Sequence, residues 1–404
     1  MIRPIAIIGG GVTGLQTAVY FDRNQIPYQL FEKSDFFGGR VKTLEKQGFR
    51  MDMGFQVLQT NYPALQGEVD FKALNMHYFP SAAKCLWNGK FIEFPNPFKN
   101  PFLFFRNLFS GLFTFQDILA FLRLEYSLIG FEFDSSKIGS QRTKDYLLKL
   151  GFSNRLMEAF FVPFFGGVFF DKSLGQPKEL FLFYMQQFLD GKIGIPAKGM
   201  QELPNQLAKS LKKESLRLNA KVEIIDKNRI KVNGEIQEVA GIIVATDLNS
   251  TAQLLGEKGV KGDFGICRNL YYQINKGYFD SGILHLMNQK ILHFSVLSQV
   301  SSAYSEEGYD LLSITVLEEG LSKKEIEEEF KVYFPEVELL SCLGEFYLPE
   351  ALPRMEAYLA LKNKAKEMGL VLAGDYLYYP SLNACFESAK NAFERSLKFI
   401  NFTC

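Results

Sequence analysis

Residues 5–14 read IAIIGGGVTG, and this stretch decides the fold. The run Ile5–Ile8 is short, apolar and rich in β-branched residues, which predicts a strand buried on both faces, as in parallel sheets. Gly9, Gly11 and Gly14 follow in a G-x-G-x-x-G pattern, and the next residues, LQTAVYFDR, have the periodicity of a helix. This order of strand, glycine turn and helix is typical of dinucleotide-binding folds.

Each glycine in the turn has a separate physical reason. Gly9 allows a tight turn, Gly11 lets the backbone approach a pyrophosphate, and Gly14 lets the helix pack closely on the strand. The helix begins at Val12 and Thr13, and its amino end offers free N–H groups and a positive dipole to phosphates. We therefore expect these five residues to belong to the cofactor site.

A second predicted strand, in the stretch YQLFEK, ends in Glu32, and its distance from Gly14 along the chain is close to the spacing of about 20 residues expected for a ribose-binding acid. A carboxylate accepts hydrogen bonds from ribose hydroxyls and repels a 2′-phosphate, so NADP is disfavoured. Lys33 follows directly and is included in the predicted site. These residues alone leave NAD and FAD open.

Two further motifs resemble those of the flavoprotein superfamily of amine oxidases, protoporphyrinogen oxidases and phytoene-type desaturases. The first is a G-G-R stretch that ends in Gly39 and Arg40. The second is D-x-G-x-Q, in which Gly54, Phe55 and Gln56 follow Asp52 at a short distance. By this resemblance, Gly39 and Arg40 lie at the flavin pyrophosphate, and the second motif passes close to the flavin ring. The resemblance implies FAD as the cofactor.

The carboxyl-terminal stretch LVLAGDYLYYPSLNACFESAKNA is similar to the second flavin motif of the same superfamily. The resemblance implies that Asp375, after Gly374, holds the ribityl chain, and that the helix after Ser381 and Leu382 points its amino end at the isoalloxazine. Such a helix end stabilises the anionic reduced flavin. No motif for covalent flavin attachment is recognisable, so we expect non-covalent FAD.

The resemblance also covers the middle of the chain. LRLNAKVEIIDKNRIKVNG reads as a β-hairpin unit in which Val222 matches the adenine-side contact of the family. GIIVATD reads as a strand that ends near the cofactor at Ala245 and Thr246. Tyrosines 376, 378 and 379 and Gln56 are expected near the flavin ring, in structural roles, and no catalytic residue is identified.

The fold class predicted is α/β, with two discontinuous domains. Residues 1–75, 190–265 and 350–404 should form a Rossmann-like FAD-binding domain, built on a parallel sheet with a β-hairpin or meander insert. Residues 76–189 and 266–349 should form an α+β substrate domain with a mixed sheet and Phe-rich helices.

Composition excludes several function classes. Lysine plus arginine equal aspartate plus glutamate at 45 each, which argues against a nucleic-acid partner. Three histidines, and five cysteines without a C-x-x-C pair, predict no metal site and no disulfide framework. This cysteine usage fits a reducing compartment, and we expect a cytoplasmic protein that associates with membranes at most peripherally. No run reaches the ~18 apolar residues of a membrane-spanning helix.

Phenylalanine is unusually frequent, with 40 residues against one tryptophan. The stretch 162–173, VPFFGGVFFDKS, is the densest example. Three interpretations stay open: an ordinary helical core, a tunnel for an isoprenoid or other lipid, and a surface that dips into a membrane leaflet.

The sequence therefore predicts an FAD-dependent oxidoreductase of the oxidase, desaturase or isomerase type. A large apolar substrate, such as an isoprenoid, would give a hydride to flavin N5, and oxygen or a quinone would accept the electrons. An amine oxidase and a protoporphyrinogen oxidase are the alternatives within enzymes. The non-enzyme alternative is a flavin-free scaffold of the same fold that binds lipids or prenylated partners.

Overall fold

The computed structural model describes residues 3–96, 111–257, 260, 262–354 and 358–400. Part of the Phe-rich stretch that the sequence assigns to helices, residues 97–110, lies outside the described residues. The strands are β1 Ile5–Ile8, β2 Tyr28–Phe31, β3 Thr43–Lys46, β4 Phe49–Asp52, β5 Leu58–Gln59, β6 Met76–Tyr78, β7 Ala82–Trp87, β8 Lys90–Pro95, β9 Ile193–Pro196, β10 Leu216–Arg217, β11 Val222–Asp226, β12 Arg229–Val232, β13 Glu235–Glu238, β14 Gly241–Val244, β15 Phe264–Asn275, β16 Leu284–Leu286, β17 His293–Val296, β18 Tyr309–Val316, β19 Ser341–Pro353 and β20 Val371–Leu372.

The helices between residues 115 and 190 follow one another, and the others lie between strands or after the last strand. The helices of the described chain are α1 Val12–Arg23, α2 Phe115–Leu128, α3 Thr143–Leu150, α4 Asn154–Leu156, α5 Val162–Phe169, α6 Lys178–Asp190, α7 Glu202–Lys209, α8 Leu248–Leu254, α9 Lys323–Tyr333, α10 Leu359–Glu367 and α11 Leu382–Ile400. A π-helical turn, Met157–Phe161, joins α4 to α5.

A parallel sheet carries the cofactor motifs. Its strand order among the described residues is β10-β2-β1-β14-β20, and every neighbouring pair is parallel. β1 and β14 are buried at every position, as expected for strands covered on both faces. These strands come from the three segments that the sequence assigns to the FAD-binding domain, and the three-stranded meander β11-β12-β13 stands where the hairpin insert is predicted. The predicted α/β fold class is confirmed.

A second, mixed sheet belongs to the other half of the molecule. Its order among the described residues is β19-β15-β18-β17-β16-β7-β8, with β16 and β7 parallel and the remaining pairs antiparallel. Two of its strands, β15 and β19, run slightly past the predicted domain boundaries at 265 and 350.

The aromatic side chains pack mainly on one another. Phe161, Phe165 and Phe169 are almost fully buried along the inner face of the π-turn and α5. Phe165 contacts Phe181 of α6 edge-on, with ring centroids 4.8 Å apart. Tilted and edge-on pairs of this kind are favoured by the ring quadrupole. One face of α5 is therefore ordinary core, as the first interpretation of the 162–173 stretch expects.

Unlike the buried phenylalanines of α5, several apolar side chains of α2 are exposed. A continuous stripe at helical spacing carries the side chains Phe115, Leu119, Leu122, Tyr126 and Ile129, each between 38% and 76% exposed. None of the helices among the described residues combines the length and apolar character that a membrane crossing requires.

The packing of α1 on β1 gives a prediction about Gly14. A Cβ atom built on Gly14 would lie 1.8 Å from the carbonyl oxygen of Gly9, so the Gly14→Ala substitution forces the helix away from the strand. We expect a loss of about 3 kcal/mol in the free energy of unfolding, although alanine inside a helix ordinarily stabilises by about 1 kcal/mol. Urea unfolding followed by circular dichroism measures it.

Gly11→Ala is the matched control. A Cβ on Gly11 meets no atom within 4 Å, and its φ of −70° suits any residue. Since alanine is a poorer N-cap than glycine, we expect a loss of about 1 kcal/mol or less. Equal losses in the two variants would show that the close approach at Gly14 does not limit the fold.

Candidate active site

A cavity of 1160 Å³ opens at the carboxyl ends of the parallel strands and continues between the two halves of the molecule. It is slightly larger than most small-molecule pockets, which span about 300–1,000 Å³. Nearly all the predicted cofactor residues line it: Gly9, Gly11, Val12, Thr13, Glu32, Lys33, Gly39, Arg40, Gly54, Phe55, Gln56, Val222, Ala245, Thr246, Gly374, Asp375, Ser381 and Leu382. Gly14 does not line the cavity, because its place is against Gly9 in the helix–strand contact.

The glycine turn fits a phosphate-bearing ligand. A Cβ on Gly11 would project into the cavity without meeting protein atoms, whereas a Cβ on Gly9 would lie 2.6 Å from the carbonyl oxygen of Ala245. Gly9 therefore lets the turn pack directly against the sheet, and Gly11 leaves the backbone accessible from the cavity. Val12 and Thr13 begin α1 at the same wall, so the positive end of the helix faces the cavity.

The Glu32 carboxylate is held in place by three hydrogen bonds from the protein. One of its oxygens accepts a hydrogen bond from the Gly10 amide at 2.7 Å, and the other accepts from the Ser34 amide at 2.8 Å and the Ser34 hydroxyl at 2.7 Å. These donors fix the orientation of the carboxylate and leave it at the cavity wall. An oriented carboxylate at the end of β2 suits a ribose, as the spacing in the sequence indicates.

Arg40 and Asp375 form an ion pair across the cavity. The distance from Arg40 Nη2 to the Asp375 carboxylate is 2.6 Å, although the residues lie at opposite ends of the chain. Desolvation opposes the charged guanidinium, but the Asp375 carboxylate, together with Cys385 and Asp247, raises the pKa of Arg40 above its ordinary value. Two groups that the sequence assigns to different parts of the cofactor are thus brought together in the structure.

The amino end of α11 also faces the cavity. Ser381 precedes the helix, and its hydroxyl accepts a hydrogen bond from the Ala384 amide at 3.0 Å. Cys385 lines the cavity one turn into the helix, and burial raises the pKa of its thiol to about 12. It is therefore a neutral, weakly nucleophilic thiol at physiological pH, which fits a packing residue better than a reactive one.

The tyrosines near the carboxyl terminus are not at the cavity wall. Tyr376 donates to the Thr251 hydroxyl at 3.2 Å, and Tyr379 donates to the Glu387 carboxylate at 2.9 Å. Neither they nor Tyr378 appear among the described residues that line the cavity. These three side chains therefore do not line the cavity, and their position relative to the flavin ring stays a prediction. Of this group, Gln56 alone reaches the cavity.

Asp52 is the first residue of the D-x-G-x-Q motif, and its role as a hydrogen-bond acceptor for three other segments was not predicted from the sequence. It is almost fully buried and accepts hydrogen bonds from the Met200 amide at 2.9 Å, the Tyr304 hydroxyl at 2.7 Å and the Thr43 hydroxyl. Tyr271 donates to the backbone carbonyls of Asp52 and Gly54. This network fixes the loop 53–56 at the cavity wall.

The other end of the cavity is lined by apolar and aromatic side chains. Phe164 and Val168 of α5 face the cavity, together with Phe55, Phe79 and Phe188. The same helix turns Phe165 and Phe169 into the core. The stretch 162–173 therefore serves both as core and as cavity wall, and its use as a lipid tunnel or a membrane surface stays a prediction.

His293 is a wall residue that sequence analysis missed. It lies on β17, is 3% exposed, and has no hydrogen-bond partner at Nδ1. Burial lowers the pKa of His293 to about 3, so the ring is neutral. No sequence signal could have located it, because an isolated histidine in an apolar strand has no motif around it.

Comparison with known proteins agrees with this geometry. Residues 12–261 match the family model described as flavin containing amine oxidoreductase. The chain belongs to this family. The cofactor of the family is FAD, and the bare Gly11 backbone, the fixed Glu32 carboxylate and the two helix amino ends at the cavity wall fit that group. Among the described residues, no cluster of three or more metal-ligating side chains is present.

Similar sequences are found among curated proteins over short regions. A 4,4'-diaponeurosporene oxygenase of Staphylococcus haemolyticus is 35% identical over 60 residues, which cover 15% of this chain and 12% of that protein. A 4,4'-diapophytoene desaturase of Staphylococcus aureus is 46% identical over 50 residues, which cover 12% and 10%. The chain thus matches only about a tenth of the length of these relatives.

Similar solved structures extend over nearly the whole chain. An oxidoreductase from Methanosarcina mazei superposes with a TM-score of 0.72 at 16% identity, covering 97% of this chain and 100% of the other. A putrescine oxidase bound to putrescine superposes with a TM-score of 0.67 at 14% identity, covering 98% and 99%. At such identities the likeness shows the fold alone.

The buried Asp52 carboxylate gives a pH prediction. Desolvation raises its pKa from 3.8 to about 6, against the hydrogen bonds that favour the anion. Because the folded protein binds this proton more readily than the unfolded chain, the contribution of Asp52 to stability is largest below about pH 4. It is lost as the pH rises through about 6. The change is on the order of 3 kcal/mol.

Asp52→Asn removes the titrating group and keeps a side chain of similar shape. Urea unfolding of both proteins between about pH 4 and 7 measures the difference in their unfolding free energies. We expect the wild-type protein to lose stability relative to the variant across this range. A pH-independent difference would contradict a raised pKa at Asp52.

Proposed function

We propose that the protein is an FAD-dependent oxidoreductase whose substrate is a large, uncharged and mainly apolar molecule, such as an isoprenoid. The observation that carries the proposal is how charge is distributed in the cavity wall. The charged lining residues of segments 32–40, 221–223, 247 and 375 hold or adjoin the predicted cofactor residues, and Glu350 precedes Ala351, whose carbonyl accepts a hydrogen bond from Arg40. Those described lining residues that come from segments 53–82, 164–193 and 284–293 include no carboxylate, lysine or arginine.

Different residues of the chain would bind different parts of the cofactor and the substrate. Gly11 and the start of α1 would hold the pyrophosphate, Glu32 a ribose, and the amino end of α11 the flavin ring. When bound, FAD supplies an acceptor for the hydride of the substrate. The apolar wall, with Phe55 and Phe164, would orient the substrate and exclude water. Oxygen or a quinone is the proposed final electron acceptor.

The charge distribution also argues against a protoporphyrinogen oxidase. A porphyrinogen carries carboxylates, which need cationic partners when buried. The substrate end of the cavity offers none among the described lining residues. The flavin-free scaffold is disfavoured because the chain belongs to a flavin-containing family.

An amine substrate is the second candidate, and one observation favours it. Tyr62 and Tyr184 both line the cavity, with ring centroids 6.5 Å apart and planes at 63°. A pair of aromatic rings can bind a cation through its π-faces. Tyr184, however, donates its hydroxyl to the Pro380 carbonyl at 2.8 Å, and Tyr62 stacks on Phe183, so both rings also have structural roles.

Substrate reduction of the holoenzyme tests the proposal. Purified protein that shows a flavin spectrum is mixed without oxygen with squalene or phytoene, with putrescine, or with a porphyrinogen. We expect the hydrocarbons to bleach the visible flavin absorbance. Bleaching by putrescine alone would favour the amine candidate, and a protein that takes up no FAD would overturn the proposal.

Val168→Lys places a charge in the apolar wall. We expect it to slow bleaching by hydrocarbons by about a hundredfold or more, because burying an unpaired charge costs several kcal/mol. The flavin spectrum should stay unchanged, since Val168 lies on the Phe-rich wall. Val168→Ile is the matched control and should retain the rate. An unaffected rate in Val168→Lys would place the substrate elsewhere.

Peripheral membrane contact belongs to the same proposal, because an apolar substrate dissolves in a lipid bilayer. The exposed stripe on α2 is the surface we propose for this contact, since it presents Leu122 and Tyr126 without an intervening charge on the stripe. The Leu122→Glu, Tyr126→Glu double variant should lower the fraction of protein that floats with phosphatidylcholine vesicles by about tenfold. Val332→Glu, at another exposed apolar residue, is the control and should float as the wild-type protein does. A wild-type protein that never floats contradicts membrane contact.

A further inference from the structure

The chain leaves α5 through a residue in an unusual backbone conformation. Phe170 caps the helix with φ 50° and ψ 42°, in the left-handed region. Helices commonly end at a left-handed residue, but that residue is usually glycine, because a side chain in this conformation crowds the following carbonyl. A bulky aromatic residue here costs free energy, and such strain concentrates at functional sites. Glycine would make the same turn without this cost, so the ring needs a reason of its own.

The ring of Phe170 differs from the neighbouring rings of α5. Phe165 and Phe169 are almost fully buried, and they contact the rings of Phe181 and Tyr184. Phe170 is only partly buried, lines the cavity, and makes no ring contact with another described aromatic residue. The ring is therefore not part of the aromatic core, and its surface is available to a ligand in the cavity.

Two strands of the mixed sheet meet the end of α5 at the cavity wall. A Cβ on Gly265 of β15 would lie 2.7 Å from the Phe170 Cβ, so the bare strand backbone packs against this residue. Gly265 pairs with Leu352 of β19, and the register of the two strands shifts directly beyond this pair. The shift leaves residues 349–351 as a bulge, and all three line the cavity. Phe170 and the bulge therefore belong to one stretch of the wall.

An ion pair ties the turn at Phe170 to the end of β19. The Asp171 carboxylate lies 3.5 Å from Nη1 of Arg354, the residue after β19. The same carboxylate accepts hydrogen bonds from the Ser173 amide at 2.9 Å and the Gly175 amide at 3.1 Å. Burial opposes the charge, but hydrogen bonds from Ser173 and Gly175 and the nearby Arg354 lower the pKa of Asp171. The ionised carboxylate thus holds the turn and links it to β19.

We propose that Phe170 is a specificity-determining residue, whose ring narrows the cavity so that it admits a slender, acyclic apolar substrate and excludes polycyclic ones. Asp171 is a positioning residue that, through Arg354, holds the ring beside the β19 bulge. This rests on the proposed function and narrows its substrate class.

The narrowed stretch adjoins the loop 53–56, which the sequence predicts beside the flavin ring. A Cβ on Gly54 would lie 3.0 Å from Cδ1 of Leu348, the cavity-lining residue that precedes the bulge. An extended chain would pass the Phe170 ring and reach this loop, whereas fused rings would meet Phe170 first. The selection would therefore act next to the place where the hydride is transferred.

Two isomeric C15 hydrocarbons that differ in width test the inference: farnesene, which is acyclic, and cedrene, which is tricyclic. Calorimetric titration of the holoenzyme in a non-ionic detergent gives a Kd for each. We expect farnesene to bind about tenfold more tightly than cedrene, within the range of discrimination that an apolar pocket achieves by size.

Phe170→Gly removes the ring and relaxes the backbone, since glycine suits the left-handed conformation. We expect this variant to fold and to bind the two hydrocarbons with nearly equal Kd, because cedrene gains room. Phe170→Tyr keeps the ring and is the matched control, so it should retain the preference for farnesene. Circular dichroism and the flavin spectrum confirm that each variant is folded.

Asp171→Asn tests the positioning role while Phe170 is unchanged. The neutral side chain loses its attraction to the Arg354 guanidinium, so we expect the preference for farnesene to fall to about threefold. Asp263→Asn is the matched control, because the Asp263 carboxylate pairs with the same arginine, 3.2 Å from its Nε. This variant should keep the wild-type preference. If Phe170→Gly does not fold, the wild-type ratio and the two asparagine variants decide the question.

Each outcome supports or overturns the inference. Equal binding of the two hydrocarbons to the wild-type protein, tighter binding of cedrene, or a preference that persists in Phe170→Gly overturns the role of Phe170 and leaves the apolar-substrate proposal standing. No binding of either hydrocarbon overturns both. An unchanged preference in Asp171→Asn overturns the positioning role of Asp171. A preference that disappears in Phe170→Gly, falls in Asp171→Asn and survives in Asp263→Asn supports the inference.

Discussion

The structure depends on the close approach of three backbone segments at the carboxyl ends of β1 and β14. Gly9 lies against the carbonyl of Ala245, and Gly14 lies against the carbonyl of Gly9, at distances that no side chain tolerates. This contact sets the position of α1 on the sheet. It also decides that the amino end of α1 opens toward the cavity, where backbone N–H groups and the helix dipole act on the same ligand.

A second constraint joins the cofactor half to the mixed sheet. Asp52 at the end of β4 accepts hydrogen bonds from the segments around Met200 and Tyr304, and Tyr271 of β15 binds the backbone on either side of Met53. Three donors offset part of the cost of burying the carboxylate, and the remaining cost raises the pKa of Asp52. These hydrogen bonds fix the loop 53–56, which lines the cavity, relative to both segments.

The phenylalanines give the apolar wall of the cavity its shape. Aromatic rings provide large rigid surfaces without hydrogen-bonding needs, so a helix such as α5 can place one face in the core and the other against a cavity. The same property makes any polar atom in the wall conspicuous. His293 is one such buried polar residue. Its apolar surroundings lower the pKa of the imidazole and keep it neutral.

The resemblance of the later sequence motifs to a flavoprotein superfamily implied FAD, and the sequence by itself determined the parallel sheet, the glycine turn and the position of Glu32. These features obey short-range steric rules, in which strand, turn and helix are consecutive and the roles of Gly9, Gly11 and Gly14 follow from spacing. The domain boundaries and the roles of the cofactor residues remain predictions, although the residues other than Gly14 share one cavity wall.

Only the tertiary structure decided which distant groups meet. The Arg40–Asp375 ion pair joins residues 335 positions apart, and Tyr304 reaches Asp52 across 252. The tertiary structure also decided that Tyr376 and Tyr379 do not line the cavity and that His293 does. The physical reason is that such contacts depend on how whole sheets and helices pack, and the local pattern around a single residue carries no record of that packing.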